Sequence, residues 1–286
     1  MPADVRRPAD PPPDRGERTL RLQGAPNFRA IDALRSAGGR RLRARRVFRS
    51  DALQRLTDDD VARVAGLGIG TVIDLRRPDE RQAAPSRLPT PAPRTEVFDA
   101  APALAAVQPI AWREVLRQPE FDAAAARAWM LDTYGRMPLP LAPAVRAAAR
   151  SLQAGDPQAG DPQAGKPGPS ILVHCTAGKD RTGFVCAMLL AALDIPWDAI
   201  VDDYLESSRR HPPSALAASL FEDDLLQRST RVRDALEVVA GVQPEFLETA
   251  CASVRATFGS IDTYLDEACG LGPAQRDALR MRLLGD

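Results

Sequence analysis

Residues 171–193 read ILVHCTAGKDRTGFVCAMLLAAL. Ile171 to His174 is a short apolar run rich in β-branched types, the pattern of a strand buried on both faces. From Thr182 to Leu193 the spacing predicts a helix, with Phe184, Val185, Met188, Leu189 and Ala192 facing inward. The residues between them, Cys175 to Arg181, must therefore carry the chain from a strand end into a helix start.

That turn has the composition of an anion cradle. Ala177 and Gly178 are small enough to let the backbone curl, so the amides of Thr176, Ala177, Gly178, Lys179, Asp180 and Arg181 can converge as a nest on a tetrahedral dianion. The loop ends where a helix begins, and unpaired amides and the macrodipole favour negative charge there. The same field is expected to lower the pKa of Cys175, making its thiolate available as a nucleophile. Arg181 has a planar fork suited to two phosphoryl oxygens. Thr182 is expected to donate a hydroxyl hydrogen bond to the Cys175 sulfur, and His174 to orient the loop from behind.

Outward from the loop, helix and strand patterns alternate. Thr57 followed by three aspartates reads as an N-cap with an acidic first turn, Val61, Val64, Ala65 and Leu67 form the apolar face, and Gly68 is a candidate stop. Gly70 to Leu75 (GTVIDL) reads as a second buried strand. This rhythm predicts an α/β fold with a central, mainly parallel sheet flanked by helices. Residues 1–18, dense in proline and charge, read as a disordered tail, and residues 19–286 as one domain. Within it, 100–150 suggest several helices, whose aromatic residues Trp112, Phe121, Trp129 and Tyr134 serve either core packing or a helical cover over the site. Three successive repeats, QAGDP, QAGDP and QAGKP, mark 153–169 as a flexible surface loop.

Composition narrows the classes of function. Formal net charge is zero over 286 residues, so no global field draws the molecule to nucleic acid or to an anionic membrane. Lysine occurs only at Lys166 and Lys179 and histidine only at His174 and His211; a Lys and a His inside one ten-residue stretch fit site chemistry. Cys175, Cys186, Cys251 and Cys269 show no C-x-x-C pair and read as reduced thiols. Neither a signal peptide nor a membrane span is evident, so the expected location is the cytoplasm. No metal ligand set and no cofactor is expected, and oligomeric state is left open.

The loop HCTAGKDRTG, residues 174–183, resembles that of bacterial tyrosine phosphatases reading H-C-x-x-G-K-D-R-T-G, a group that includes enzymes acting on phosphoinositides. The likeness extends to Asn27-Phe28-Arg29, to Val47-Phe48-Arg49-Ser50, to Asp74-Leu75-Arg76 with Glu80 and Arg81, and to Asp203-Tyr204-Leu205. It departs after Arg29, where the family's D-L-G-G is replaced by AIDALRSAGG, so an inserted turn is expected.

The resemblance implies the cysteine-phosphatase fold and hydrolysis of phosphate monoesters through a phosphocysteine, on phosphotyrosine proteins or phosphoinositides. A phosphate-binding protein without turnover and a rhodanese-like or arsenate-reducing enzyme are the alternatives. A general acid is expected for the leaving oxygen. Asp180 matches the family's loop aspartate and could equally be a helix cap; Asp74 lies at a strand's carboxyl end and could equally pair with Arg76. Lys179, placed at the pocket rim, is expected to favour substrates with several phosphates. Pro196-Trp197-Asp198 imitates a mobile acid loop but follows the nucleophile, and is read as a helix start.

Overall fold

The computed structural model describes residues 20–99, 112, 114–154, 169–220 and 229–285. The tail over 1–18, nearly all of the repeat loop and residues 100–111 of the expected cover lie outside them. Strands are β1 (Arg29–Ala30), β2 (Arg41–Leu42), β3 (Val47–Ser50), β4 (Thr71–Asp74), β5 (Arg94–Val97), β6 (Ile171–His174) and β7 (Leu284–Gly285). Helices are α1 (Asp58–Ala65), α2 (Pro78–Ala83), α3 (Ala123–Arg136), α4 (Pro138–Gln153), α5 (Asp180–Ala192) and α6 (Trp197–Arg210). They continue with α7 (Pro213–Leu220), α8 (Thr230–Ala240), α9 (Pro244–Phe258), α10 (Ile261–Glu267) and α11 (Pro273–Leu283).

The main sheet has the order β1-β3-β6-β4-β5. β3, β6, β4 and β5 run parallel and β1 joins the edge antiparallel, which is the mainly parallel α/β sheet that the sequence predicts. Its strands alternate between two cores. Val47, Ile73, Ile171 and Val173 face the helices α4 and α5, whereas Phe48, Val72 and Leu172 face Leu53, Leu56 and Val64 on the side of α1. Both faces are buried, and a continuous apolar run such as ILV is what that requires.

β6 occupies the strand positions expected, and the helix after the loop begins two residues early, at Asp180. α5 is buried on every side, with only Ala191 outside the buried class; that is why its apolar residues extend round the whole helix rather than along one stripe. α1 starts at a capping box in which Thr57 and Asp60 bond each other's backbone amides. It ends at Ala65, before the expected stop at Gly68, which instead adopts φ 66°. The departure after Arg29 is a small hairpin: Arg35 bridges Arg41, and β2 pairs with the C-terminal β7.

Residues 123–153 form two helices whose buried residues share one core. α4 packs on the sheet and on α5 and is core, while α3 packs against α8 and α9 and sends Tyr134 towards the loop. Pro196 does open a helix, α6.

Candidate active site

His174, the last residue of β6, is in register with Ser50 of β3 and Asp74 of β4. The loop Cys175–Lys179 therefore rises from the middle of the sheet's carboxyl edge, where open α/β sheets bind their ligands. Its shape is fixed from behind. Asn27 Nδ2 donates to the carbonyls of Ala177 and Gly178, both at 3.0 Å. Arg49 Nη2 donates to those of Gly178, at 2.9 Å, and Lys179, at 3.4 Å.

In a trans peptide the C=O and N–H point in opposite directions, so tying these carbonyls back turns the following amides inward. The Ala177–Gly178 peptide shows the result: its carbonyl meets Asn27 while its N–H lies 3.2 Å from the Cys175 sulfur. Gly178 has φ +68°, and a Cβ there would sit 2.3 Å from the Ser50 carbonyl oxygen. Only glycine fits.

The clamp is itself held. Arg29 Nη1 donates to Asn27 Oδ1 at 2.5 Å, which leaves the Asn27 amide nitrogen facing the loop. Asp203 accepts from Arg49 Nη1 at 2.7 Å and from Arg29 Nε at 3.2 Å, and both arginines reach Ser207 Oγ. Burial alone would raise the Asp203 pKa, but Arg29 and Arg49 bring it down to about 2. Burial lowers Arg29 to about 10, which still leaves it charged at neutral pH.

Arg181 stands on the other side. Its Nη1 donates to Glu80 Oε2 at 2.8 Å and to the Leu75 carbonyl at 3.0 Å, and its Nη2 to Glu80 Oε1 at 3.0 Å. Thr176 Oγ1 donates to the same carboxylate and accepts from Arg181 Nη2 at 3.3 Å. Burial works against both charges, yet Arg181 and Thr176 lower Glu80 to about 2, while Cys175, Glu80 and Asp180 hold Arg181 above its ordinary range. Arg181 Nε is buried and has no partner among the described residues.

The two acid candidates differ in surroundings. Asp74 is 3% exposed, takes Arg76 Nε at 3.0 Å and Nη2 at 2.8 Å, and has His174 Nε2 at 3.6 Å. Burial pushes its pKa up, but His174 and Arg76 outweigh that, so it stays below the usual range. Asp180, the first residue of α5, accepts Tyr134 Oη at 2.7 Å and Lys179 Nζ at 2.8 Å, both on Oδ1. Among the described residues, the hydrogen bonds to its carboxylate come from these two side chains and not from amides of α5.

Two expectations, for Lys179 and Thr182, need amendment. Lys179 is not at a rim: it is 3% exposed, and its Nζ also donates to the carbonyls of Val239, at 2.9 Å, and Gly241, at 3.1 Å, with the Trp112 ring 5.7 Å away. A long aliphatic stem lets this cation reach the end of α8 instead of solvent. Thr182 Oγ1 is buried without the expected bond to Cys175. His174 lies beneath the loop with Nδ1 3.3 Å from the Cys175 carbonyl oxygen; burial lowers its pKa to about 4, so it is neutral at physiological pH.

Asn27, Arg49, Glu80, Tyr134 and Asp203 carry site geometry that the sequence reading left without roles. Four of them lie in the quoted motif segments, so the signal was present. Tyr134 was visible only as one aromatic on a helical face.

A family model described as the tyrosine phosphatase family matches residues 20–285. The chain is 32% identical over 268 residues to the Cupriavidus necator protein H16_A0669, whose name assigns it provisionally to the tyrosine-protein phosphatases; the match covers 91% of this chain and 87% of that one. It is 32% identical over 287 residues to the triple specificity protein phosphatase PtpB of Mycobacterium tuberculosis, covering 92% and 98%. Among solved structures, P. aeruginosa TpbA aligns at 20% identity over 73% of this chain and 87% of its own with a TM-score of 0.27, too low to bear on the fold.

Proposed function

The chain belongs to the tyrosine phosphatase family and is a cysteine-dependent phosphatase, and from that premise we propose how its residues divide the reaction. The Cys175 sulfur attacks phosphorus, the bond to the leaving oxygen breaks, and Asp180 supplies the proton that oxygen needs. Water then attacks the phosphocysteine, gives a proton back to Asp180, and releases phosphate and the thiolate. The inward amides of Gly178, Lys179 and Asp180, with Arg181 Nε, stabilise the charge on the transferring phosphoryl group. Asp74 remains with Arg76 and His174 beneath the loop.

The observation that carries this reading is the Ala177–Gly178 peptide, with its carbonyl tied back and its N–H on the sulfur. Hydrolysis of an aryl phosphate in EDTA tests it. Wild type is expected to turn over with phosphate trapped on Cys175, and Cys175→Ser to fall to background; activity surviving that substitution, or requiring metal, overturns it. The same experiment separates the phosphatase from a binding protein without turnover.

The proposed substrates are phosphotyrosine residues in proteins. The contacts of Lys179 Nζ with Asp180 and the end of α8 support a part in holding the acid rather than a second phosphate. In a panel of phosphotyrosine peptides and phosphoinositides, Lys179→Ala should reduce activity on every substrate to a similar degree. A loss confined to phosphoinositides would restore the lipid assignment.

A further inference from the structure

Among the described residues, both hydrogen bonds to the Asp180 carboxylate fall on the same oxygen. Oδ1 accepts from the Tyr134 hydroxyl at 2.7 Å and from the Lys179 ammonium at 2.8 Å. Tyr134 Oη also lies 2.7 Å from Tyr204 Oη. Because Tyr134 has one hydroxyl proton and directs it at Asp180, Tyr204 must be the donor in that second bond. The chain of donors therefore has one direction: Tyr204 to Tyr134 to Asp180 Oδ1.

Both hydroxyls are held in place. Tyr134 and Tyr204 are almost fully buried, and burial, with the nearby Asp180 charge, pushes both phenols well above their ordinary pKa, so neither gives up its proton in the neutral range. The Tyr134 ring packs against Phe246 at 5.5 Å and edge-on to Tyr204 at 6.5 Å. Gly183, one turn into α5, is a glycine where a Cβ would lie 2.8 Å from the Tyr204 ring.

We propose that Tyr134 and Tyr204, with Lys179, are positioning residues that saturate Asp180 Oδ1, so that the proton exchanged with the substrate is carried on Oδ2. A carboxyl oxygen already accepting two donors is a poor site for a third proton, and fixing that oxygen also fixes the torsion that aims the other. The tyrosines do not touch the reacting atoms; they act through Asp180. This inference rests on the reading of Asp180 as the proton donor.

The test compares leaving groups. A p-nitrophenyl leaving group departs with little help from an acid, whereas phenyl and alkyl phosphates depend on protonation. Asp180→Asn should lose about 10²-fold or more in kcat on the poor leaving groups and much less on p-nitrophenyl phosphate. Tyr134→Phe keeps the ring contacts and should show the same graded pattern at roughly 10-fold, about the worth of one hydrogen bond to a charged group, and Tyr204→Phe a weaker version of it. In the double variant Tyr134→Phe/Asp180→Asn the tyrosine change should add nothing.

If Asp180→Asn loses equally on all leaving groups, the acid assignment itself fails. If Asp180→Asn is graded while Tyr134→Phe and Tyr204→Phe are uniform, without effect, or additive with it, the positioning role alone is overturned. Should Tyr134→Phe lower the melting temperature too far to assay, Tyr204→Phe decides by the same criterion.

Discussion

The phosphate loop has a back and a front, and each is organised around a buried arginine paired with a carboxylate. At the back, Arg49 is fully buried, pairs with Asp203 and spends its remaining Nη donor on the carbonyls of Gly178 and Lys179. At the front, Arg181 pairs with Glu80 and the Leu75 carbonyl; among the described residues the Nε of neither arginine has a partner, so the two differ in which face of the loop they meet. One guanidinium reads the loop's carbonyls and so fixes the fold of the loop. The other stands beside its amides and waits for a ligand. Side chains of one type thus take opposite tasks according to which face of the same peptides they meet.

The difference gives an asymmetric expectation. Arg181→Lys should cost about 10³-fold in kcat/KM, roughly 4 kcal/mol of transition-state stabilisation, because an ammonium cannot serve Glu80 and the phosphoryl oxygens together. Thermal melting should move little, since Lys can still pair with Glu80. Arg49→Met should do the reverse in kind. It strands Asp203 beside one arginine instead of two and takes one donor from each of two loop carbonyls, a loss of about 3–5 kcal/mol in denaturant unfolding. If Arg181→Lys destabilised the protein as much as Arg49→Met, the division between front and back would be broken.

Asn27→Ala sharpens the point. It removes the two bonds to Ala177 and Gly178 and the one received from Arg29, and leaves the Arg49–Asp203 pair whole. We expect a stability loss of ~1–3 kcal/mol, together with a kcat decrease from a loop whose Gly178 amide no longer has a fixed aim. A stability loss with unchanged kinetics would mean that Arg49 alone sets the peptide's direction.

How much of this was legible in the sequence follows from chain distance. The strand Ile171–His174, the turn and the start of α5 are local, and spacing alone located them. The mainly parallel sheet followed from two apolar runs separated by helical pattern. The clamp is different: Asn27 reaches Ala177 across 150 residues and Arg29 reaches Asp203 across 174. Motif segments flagged these residues but could not say that they meet, since nothing local encodes which distant side chain fills the back of a turn. Lys179 was misplaced for a related reason. Its position in the loop suggested solvent, whereas its surroundings are supplied by α8 and Trp112, elements whose docking cannot be read from residue 179. Tyr134 was indistinguishable from the aromatics around it until α3 was placed beside α5.

The smallest expected effect concerns the front pair and acid. Glu80 has a folded pKa of about 2 against an ordinary 4.5, its burial outweighed by bonds to Arg181 and Thr176. A carboxyl whose pKa is depressed on folding adds stability that is complete above its unfolded value and disappears as pH falls through its folded one. For Glu80 that window runs from 4.5 down to about 2. Glu80→Gln keeps the shape but removes the charge, so it should lose ~1–2 kcal/mol at pH 7 and approach wild type as the medium is acidified across the window. His174 acts in a separate range. Buried neutral with a pKa of about 4 against 6.5, it makes folding less favourable as pH drops from 6.5 towards 4, because the unfolded chain takes up a proton that the folded one refuses. Both proteins share that decline, so the difference between them should be flat above pH 5 and close only below it. A difference that already closes between pH 6.5 and 5 would assign the front pair's contribution to the His174–Asp74 contact beneath the loop, and Arg181 would then owe its placement to the sheet rather than to Glu80.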